Sequence, residues 1–270
     1  MFLSKEDYEE PRCPLSRPSS VEPIPIRRVI EKLDEHLSRN DYDTARRHLE
    51  YWLAEAKAGN DESGQLTVMN ELIGLLRKTG KKEECLNMVE ATVAFVEASG
   101  MEGTITMGTT LINAATAYKA FGKASDALPL FMRAREIYEK NISGADNRLG
   151  GLYNNMALTV MELGDYKAAR ELFHKALEVM IEVDGGEPEV AVTYCNLADL
   201  AAADPEVEDK GREIYECLDT AKAFLDTDGL PRDGNYAFVC EKCAPTFGYY
   251  GHTDTERELT RRSKEIYERD

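Results

Sequence analysis

Three residues in the last forty positions have the types and spacing of a metal or redox site. Cys240 and Cys243 form a C-x-x-C pair, and His252 follows nine residues after Cys243. Thiolates and imidazoles are ligands that Zn²⁺ prefers, but a structural zinc site needs four of them and this stretch offers three. A C-x-x-C pair can instead exchange thiols and disulfides when it begins a helix. The elements that position these residues therefore decide between metal binding, redox chemistry and simple packing.

The rest of the sequence offers no constellation typical of an enzyme. It contains no phosphate-binding, dinucleotide-binding, zinc-protease or nucleophile-elbow motif. Residues 226–234 read DTDGLPRDG, but Leu230 and Pro231 stand where a calcium loop needs a ligand and a glycine. We therefore predict a non-catalytic protein with no cofactor and no bound metal.

Charge and composition restrict the partners. The chain has 270 residues, 43% of them hydrophobic, and a net charge of −17. Such a surface repels phosphates, so we predict no nucleic acid partner, whereas a basic peptide or protein would suit this charge. The first residues lack an apolar leader, no stretch is long enough to span a membrane, and the six cysteines are scattered. These features predict a cytoplasmic protein with reduced thiols and no membrane partner.

A pattern of glycines and small residues repeats along the chain. Gly80, Gly122 and Gly164 are each 42 residues apart. Five residues after each glycine comes a small residue, then an apolar one, then another small one, at the spacings of one helix face. Glycine supplies the left-handed backbone in which many helices end. Each unit is thus predicted to be a helical hairpin that must stack on the next one. These positions are Cys85, Ala127 and Ala169, then Val89, Phe131 and Phe173, then Thr92, Ala134 and Ala176.

This arrangement resembles the tetratricopeptide repeat. Residues 153–177, YNNMALTVMELGDYKAARELFHKAL, match its motif almost throughout, with Gly164 and Tyr166 at the turn and Ala169 and Ala176 on the second helix. The long period, together with GGEPEVAVTYCNLADL at residues 185–200, resembles the kinesin light chain class of these repeats. The resemblance implies an all-α fold, a right-handed α-α superhelix (solenoid) of about six helical hairpins.

The repeat divides the chain into a tail and one repeat domain. Residues 1–23 are proline-rich, which favours extended backbone, so the tail is either a flexible arm or a strand packed on the repeats. A packed tail would occupy a groove meant for a partner and so be autoinhibitory. The superhelical domain is predicted at 24–270, with repeats at about 24–60, 61–100, 103–142, 145–184, 187–228 and 233–270.

Polar residues of the first helices are the candidate ligand-binding groups. In the implied superhelix these helices line the concave side, and Asn113, Asn155 and Asn196 fall in the same slot of successive repeats. An asparagine both donates and accepts, so it can pair with the backbone of an extended peptide. It can equally bond a neighbouring helix and stiffen the stack. The candidate peptide-binding residues are Asn70, Arg77, Asn113, Lys119, Asn154, Asn155 and Asn196.

Arg77 and Lys119 are candidate grips for a carboxylate of the partner. They are also cations near the ends of helices, where the helix dipole favours positive charge. The leading hypothesis is a scaffold that holds an extended peptide or protein segment in its concave groove. The alternative is a cytoplasmic peptide-sensing regulator that changes superhelical shape on binding a small signalling peptide.

The repeat frame also interprets the C-x-x-C pair. With Gly251 as the turn glycine, Cys240 and Cys243 take the packing slots of Tyr153 and Met156 on one helix face. They lie in the middle of the predicted helix, where free cysteine behaves as a modest hydrophobe. Packing is therefore the favoured role, ahead of metal and redox roles. Pro245 lacks the amide hydrogen that a helix needs, so it predicts a kink or a break in this helix.

Overall fold

The computed structural model describes residues 21–269. Residues 1–20, most of the predicted proline-rich tail, lie outside the described part, and so does the question of whether that tail fills a groove. The described residues form twelve helices and no strand. The helices are α1 (Ile26–Ser38), α2 (Tyr42–Ala58), α3 (Glu62–Lys78), α4 (Lys82–Ala98), α5 (Ile105–Ala120), α6 (Ala124–Asn141), α7 (Asn147–Glu162), α8 (Tyr166–Met180), α9 (Glu187–Ala203), α10 (Lys210–Leu225), α11 (Gly234–Tyr249) and α12 (Thr253–Tyr267).

The helices come in pairs, and one pair lies within each predicted repeat range. The tight turns use the predicted glycines in the left-handed conformation, with φ of +69° at Gly80, +71° at Gly122 and +85° at Gly164. In the first repeat Asn40 takes the same conformation, with φ of 55°. Many of the helices that follow begin at an aspartate whose carboxylate accepts a backbone N–H of the first turn, as Asp165 does from Ala168. The all-α helical-repeat fold predicted from the sequence is confirmed.

The chain divides into two compact units, Met1–Ala134 and Arg135–Asp270, and the division falls within α6. The predicted tail and single repeat domain remain a prediction. In both units the small residues of the repeat frame are fully buried, as at Cys85 and Ala169, so neighbouring helices approach closely there.

The first unit begins with an extended segment fixed to the turn between α2 and α3. The Glu22 N–H donates to the Gly59 carbonyl at 2.7 Å, and the Ile24 N–H donates to Asp61 Oδ2 at 3.0 Å. A Cβ atom on Gly59 would lie 2.3 Å from the Glu22 carbonyl oxygen, so only glycine permits this approach. Trp52 packs in the hydrophobic core that this segment shares with α1, α2 and α3.

The second unit has a core formed by α9 to α12. Tyr236, Phe247 and Leu259 are buried there, and Cys195, Cys240 and Cys243 share the same core. Of the kink or break predicted at Pro245, the break is wrong, because α11 runs without interruption from Gly234 to Tyr249.

The physical reason for this continuity is packing on both sides of the proline. A proline inside a helix costs about 3 kcal/mol, and burying one large apolar side chain contributes about 1.5–3 kcal/mol. Cys243 and Phe247 flank Pro245 and are each 1% exposed, so their burial holds the helix on either side of the missing hydrogen bond.

None of the helices in residues 21–269 has both the length and the apolar character needed to cross a bilayer.

Candidate functional site

In the first unit, hydrogen bonds connect asparagine side chains on two successive first helices. Asn70 of α3 donates from Nδ2 to Thr110 Oγ1 of α5 at 3.1 Å and to the Leu66 carbonyl at 2.9 Å. Asn113 of α5 donates from Nδ2 to Asn70 Oδ1 at 2.9 Å. The Asn70 amide is therefore engaged on both its oxygen and its nitrogen, and it links α3 to α5.

The second unit has the same arrangement on α7 and α9. Asn154, 9% exposed, donates from Nδ2 to Thr193 Oγ1 at 2.8 Å. Asn196 donates from Nδ2 to Asn154 Oδ1 at 3.4 Å. We call each such set an amide clamp. The clamps consist of Asn70, Thr110 and Asn113 in the first unit and of Asn154, Thr193 and Asn196 in the second.

The threonines of the clamps were not predicted from the sequence. Thr110 and Thr193 are fully buried, and each stands three residues before an asparagine of its own helix, one turn away on the same face. The two T-x-x-N stretches are therefore the signal in the sequence that marks this contact.

Asn155 lies outside the clamps, although the repeat frame groups it with Asn113 and Asn196. Its Nδ2 donates to the Gly151 carbonyl of its own helix at 3.0 Å. Its neighbour Asn154 makes the contact with Asn196 instead. Asn155 is half-buried, so part of its amide is at the surface of α7.

The two candidate cations lie in the last turns of first helices. Arg77 is exposed in the last turn of α3, and Lys119 is half-buried in the last turn of α5. Both positions suit the helix dipole as well as a ligand carboxylate, so their binding role stays a prediction.

Carboxylates accompany the clamps on the same helices. Glu71 follows Asn70, and its pKa is raised by burial and by the nearby charge of Asp34. Asp199 lies one turn after Asn196, and burial raises its pKa even though the Tyr250 hydroxyl donates to it at 3.0 Å. The first helices thus carry negative charge that is only partly solvated.

The C-x-x-C pair lies in the core of the second unit. Cys240 and Cys243 are 0% and 1% exposed, and burial raises the pKa of Cys240 to about 12. The neighbouring Cys243 and burial also raise the pKa of Cys195. His252 precedes α12 beyond the turn, with its ring 6.1 Å from that of Phe247. No three His, Cys, Asp or Glu residues within 21–269 are grouped as a metal site would require. Protonated, buried thiols of this kind contribute to packing.

Comparison with known proteins agrees with this architecture. A family model of the tetratricopeptide repeat matches residues 148–205. Protein KINESIN LIGHT CHAIN-RELATED 2 of Arabidopsis thaliana is 24% identical over 234 residues, which are 84% of this chain and 34% of that protein. The chain thus spans about a third of the length of this curated relative.

Two solved structures have the same fold. BtubC (BKLC) from P. vanneervenii gives a TM-score of 0.58 at 16% identity, over 83% of this chain and 90% of that one. A Rap protein, solved in complex with Competence and Sporulation Factor, gives a TM-score of 0.59 at 12% identity, over 92% of this chain and 66% of that one.

The fold and the repeat frame together define an all-α helical-repeat protein, and its sequence is similar to the tetratricopeptide repeat over residues 148–205. Similarity to the kinesin light chain-related protein extends over 84% of this chain. These similarities concern the fold and its repeats. The candidate ligand-binding groups are the side chains on the first helices.

Proposed function

We propose that the chain is a non-catalytic scaffold that binds an extended peptide or protein segment on the first helices of each unit. The observation that carries this proposal is the amide clamp, which recurs in both units with the same donors and acceptors. In each clamp the half-buried second asparagine, Asn113 or Asn196, uses its NH₂ group toward the preceding helix. The Oδ1 atom of Asn113 or Asn196 accepts no hydrogen bond within its clamp.

A held carbonyl oxygen of this kind suits the backbone of an extended chain. The N–H groups of a peptide can donate to Asn113 Oδ1 or Asn196 Oδ1 without any requirement on the peptide's side chains. The clamp fixes each amide before the ligand arrives, which reduces the entropy lost on binding. Affinity then comes from the backbone, and selectivity comes from the charged and apolar residues alongside.

Charge favours a basic segment as the partner. The net charge of −17 attracts cations over the whole surface. Glu71 and Asp199 add half-buried carboxylates to two of the helices that carry the clamps. The same charge repels phosphates, so the proposal includes no nucleic acid partner. It retains the sequence-based expectations of no membrane partner, no cofactor and a cytoplasmic location.

The test is affinity capture from an extract of the native cells, with Asn113→Ala/Asn155→Ala/Asn196→Ala beside the unchanged protein. We expect the triple variant to lose most of the captured partner while its circular dichroism stays helical. Asn87→Ala, on the second helix α4 and away from the clamps, is the matched control and should capture normally.

A folded triple variant that captures its partner undiminished would refute ligand binding by these amides. If the amides only stiffen the stack, the same variant would melt at a lower temperature and still bind.

The second candidate function is that of a peptide sensor. The observation that favours it is the shared fold with the Rap protein, whose structure contains Competence and Sporulation Factor. A sensor binds short free peptides and changes shape, whereas a scaffold holds long segments with little change. Small-angle scattering with and without the captured partner separates the two, because a reduced radius of gyration is expected of the sensor alone.

A further inference from the structure

One face of α11 exposes two aromatic rings to solvent. Phe238, Lys242, Pro245 and Tyr249 are spaced four, three and four residues apart, so they lie along one side of the helix. Phe238 is 56% exposed and Tyr249 is 82% exposed. We call these four residues the aromatic ridge. Exposed rings that lie along one face of a helix are characteristic of contact surfaces.

The aromatic ridge shares one position of the repeat frame with the proposed binding residues of α7. Counted back from the turn glycines Gly164 and Gly251, Lys242 corresponds to Asn155, and Phe238 corresponds to Gly151. The ridge therefore continues the first-helix face of the second unit, with rings in place of small and polar residues.

Carboxylates of α9 lie at both ends of the ridge. One turn before Phe238, Asn235 donates from Nδ2 to Glu189 Oε1 at 3.0 Å. Beyond Tyr249, the Tyr250 hydroxyl donates to Asp199 Oδ1 at 3.0 Å.

Neither carboxylate has a cation in the described structure. Glu189 Oε2 is buried without a hydrogen-bond partner, and no ion pair of residues 21–269 includes Glu189 or Asp199. Both carboxylates are therefore poorly compensated, and a positive charge placed beside the ridge would be attracted to them.

We propose that the aromatic ridge anchors a segment of another protein that alternates basic and apolar side chains. This inference rests on the proposed function and narrows it to a partner class. Apolar side chains pack on Phe238 and Tyr249, and arginine or lysine side chains approach Glu189 and Asp199 or stack on the rings. An acidic segment is disfavoured, since Glu189 and Asp199 lie at the ends of the ridge and Lys242 is the one cation among the four ridge residues.

Three fluorescein-labelled synthetic peptides test the charge and apolar requirements separately. The first is built from Arg-Ser-Leu-Ser repeats, the second replaces arginine with glutamate, and the third replaces leucine with serine. Fluorescence anisotropy at physiological salt should show the first peptide bound at least about tenfold more tightly than either of the others. Equal binding of the arginine and glutamate peptides, or binding of none, would overturn the proposal.

Paired variants test the place of binding. Phe238→Ala/Tyr249→Ala should weaken binding of the Arg-Ser-Leu-Ser peptide about tenfold. Glu189→Gln/Asp199→Asn should weaken it to the same extent and should also reduce the salt dependence of binding. Tyr215→Ala, a ring on α10 that is 57% exposed, is the matched aromatic control. Glu171→Gln/Asp219→Asn removes two exposed carboxylates elsewhere in the second unit and is the matched charge control. Both controls should bind as the unchanged protein does.

The outcomes separate this inference from the proposed function. If the ridge variants bind the peptide normally while Asn113→Ala/Asn155→Ala/Asn196→Ala loses its captured partner, the ridge proposal alone fails. If sedimentation shows a dimer that Phe238→Ala/Tyr249→Ala converts to monomer, a second copy of the chain covers the ridge and the proposed partner is wrong. If both double variants lose peptide binding while both control variants bind as the unchanged protein does, the ridge proposal is supported.

Discussion

At the scale of single residues, two histidines in the first helical pair respond to pH. His48 on α2 has its Nε2 atom 2.9 Å from the Val29 carbonyl, which can only accept, so that nitrogen carries the proton. Burial lowers the pKa of His48 and of His36, whose rings are 5.8 Å apart. Lys32 lowers the pKa of both further, whereas the hydrogen bond to the Val29 carbonyl partly offsets the lowering at His48 and Asp41 does so at His36. Both rings are thus disfavoured as cations in the folded state.

We therefore expect the free energy of unfolding to fall as the pH drops below about 6.5, the pKa of an unperturbed histidine. In that range the unfolded chain binds more protons than the folded one, so the contribution of His48 is fully present above this pH and is lost below it. Urea unfolding at about pH 7.5 and about pH 5.5 measures the difference. His48→Gln should reduce the pH dependence, whereas His174→Gln, exposed on α8, should leave it unchanged. Identical pH dependence in the unchanged protein and His48→Gln would contradict this assignment.

At the scale of elements, each hairpin depends on a short turn that reverses the chain. Gly164 between α7 and α8 has φ of +85°, a conformation that a side chain makes costly. Gly74 lies within α3 in ordinary helical backbone, and a Cβ atom there would meet no other atom within 4 Å. The same residue type therefore stabilises the turn at one position and weakens the helix at the other.

Alanine at these two glycines should change stability in opposite directions. Gly164→Ala should lower the free energy of unfolding by about 1 kcal/mol or more, because alanine is strained in the left-handed region. Gly74→Ala should raise it by about 0.5–1 kcal/mol, because alanine is the better helix former. The midpoints of urea unfolding measure both changes, provided that the dependence of the unfolding free energy on urea concentration is the same in all variants. If the two variants shifted in the same direction, backbone conformation would not be what distinguishes the two positions.

At the scale of the whole molecule, negative charge dominates, and several of the basic residues are already paired. The chain has 50 acidic residues against 33 lysines and arginines. Arg46 pairs with Glu84 on the following second helix, and Arg170 pairs with Glu213 in the same way in the second unit. Such half-exposed pairs contribute about 1 kcal/mol or less to stability. They do neutralise cations that a phosphate backbone would need.

We expect no binding of a fluorescein-labelled DNA duplex at physiological salt, up to about 100 µM protein, the weak end of ordinary non-specific binding. The measurement is fluorescence anisotropy, with the Arg-Ser-Leu-Ser peptide as the positive control. A salt-dependent rise in the anisotropy of the labelled DNA would show that the surface includes a basic region despite the net negative charge. The net charge would then no longer favour a basic partner.

The sequence predicted much of the local structure because its signals are short-range. A glycine every 42 residues and small residues at helical spacing follow from sterics within a hairpin, so the spacing alone was enough to assign Gly122, Ala127 and their equivalents. The same repeat frame also assigned the C-x-x-C pair to the packing face of its helix. The continuity of α11 through Pro245 could not be predicted in this way, since it depends on the packing of Cys243 and Phe247 against other helices.

The repeat frame could group the asparagines, but only the tertiary structure decided which of them meet. Asn154 rather than Asn155 bonds to Asn196, and Thr110 and Thr193 complete the clamps. One residue along a helix is a rotation of about 100°, so a one-residue difference in register determines whether an amide faces the next helix or solvent. The sequence alone determined the helical repeat, because its period reflects backbone geometry. The clamps and the aromatic ridge depend on how one hairpin packs against the next, and distances between helices decide that packing.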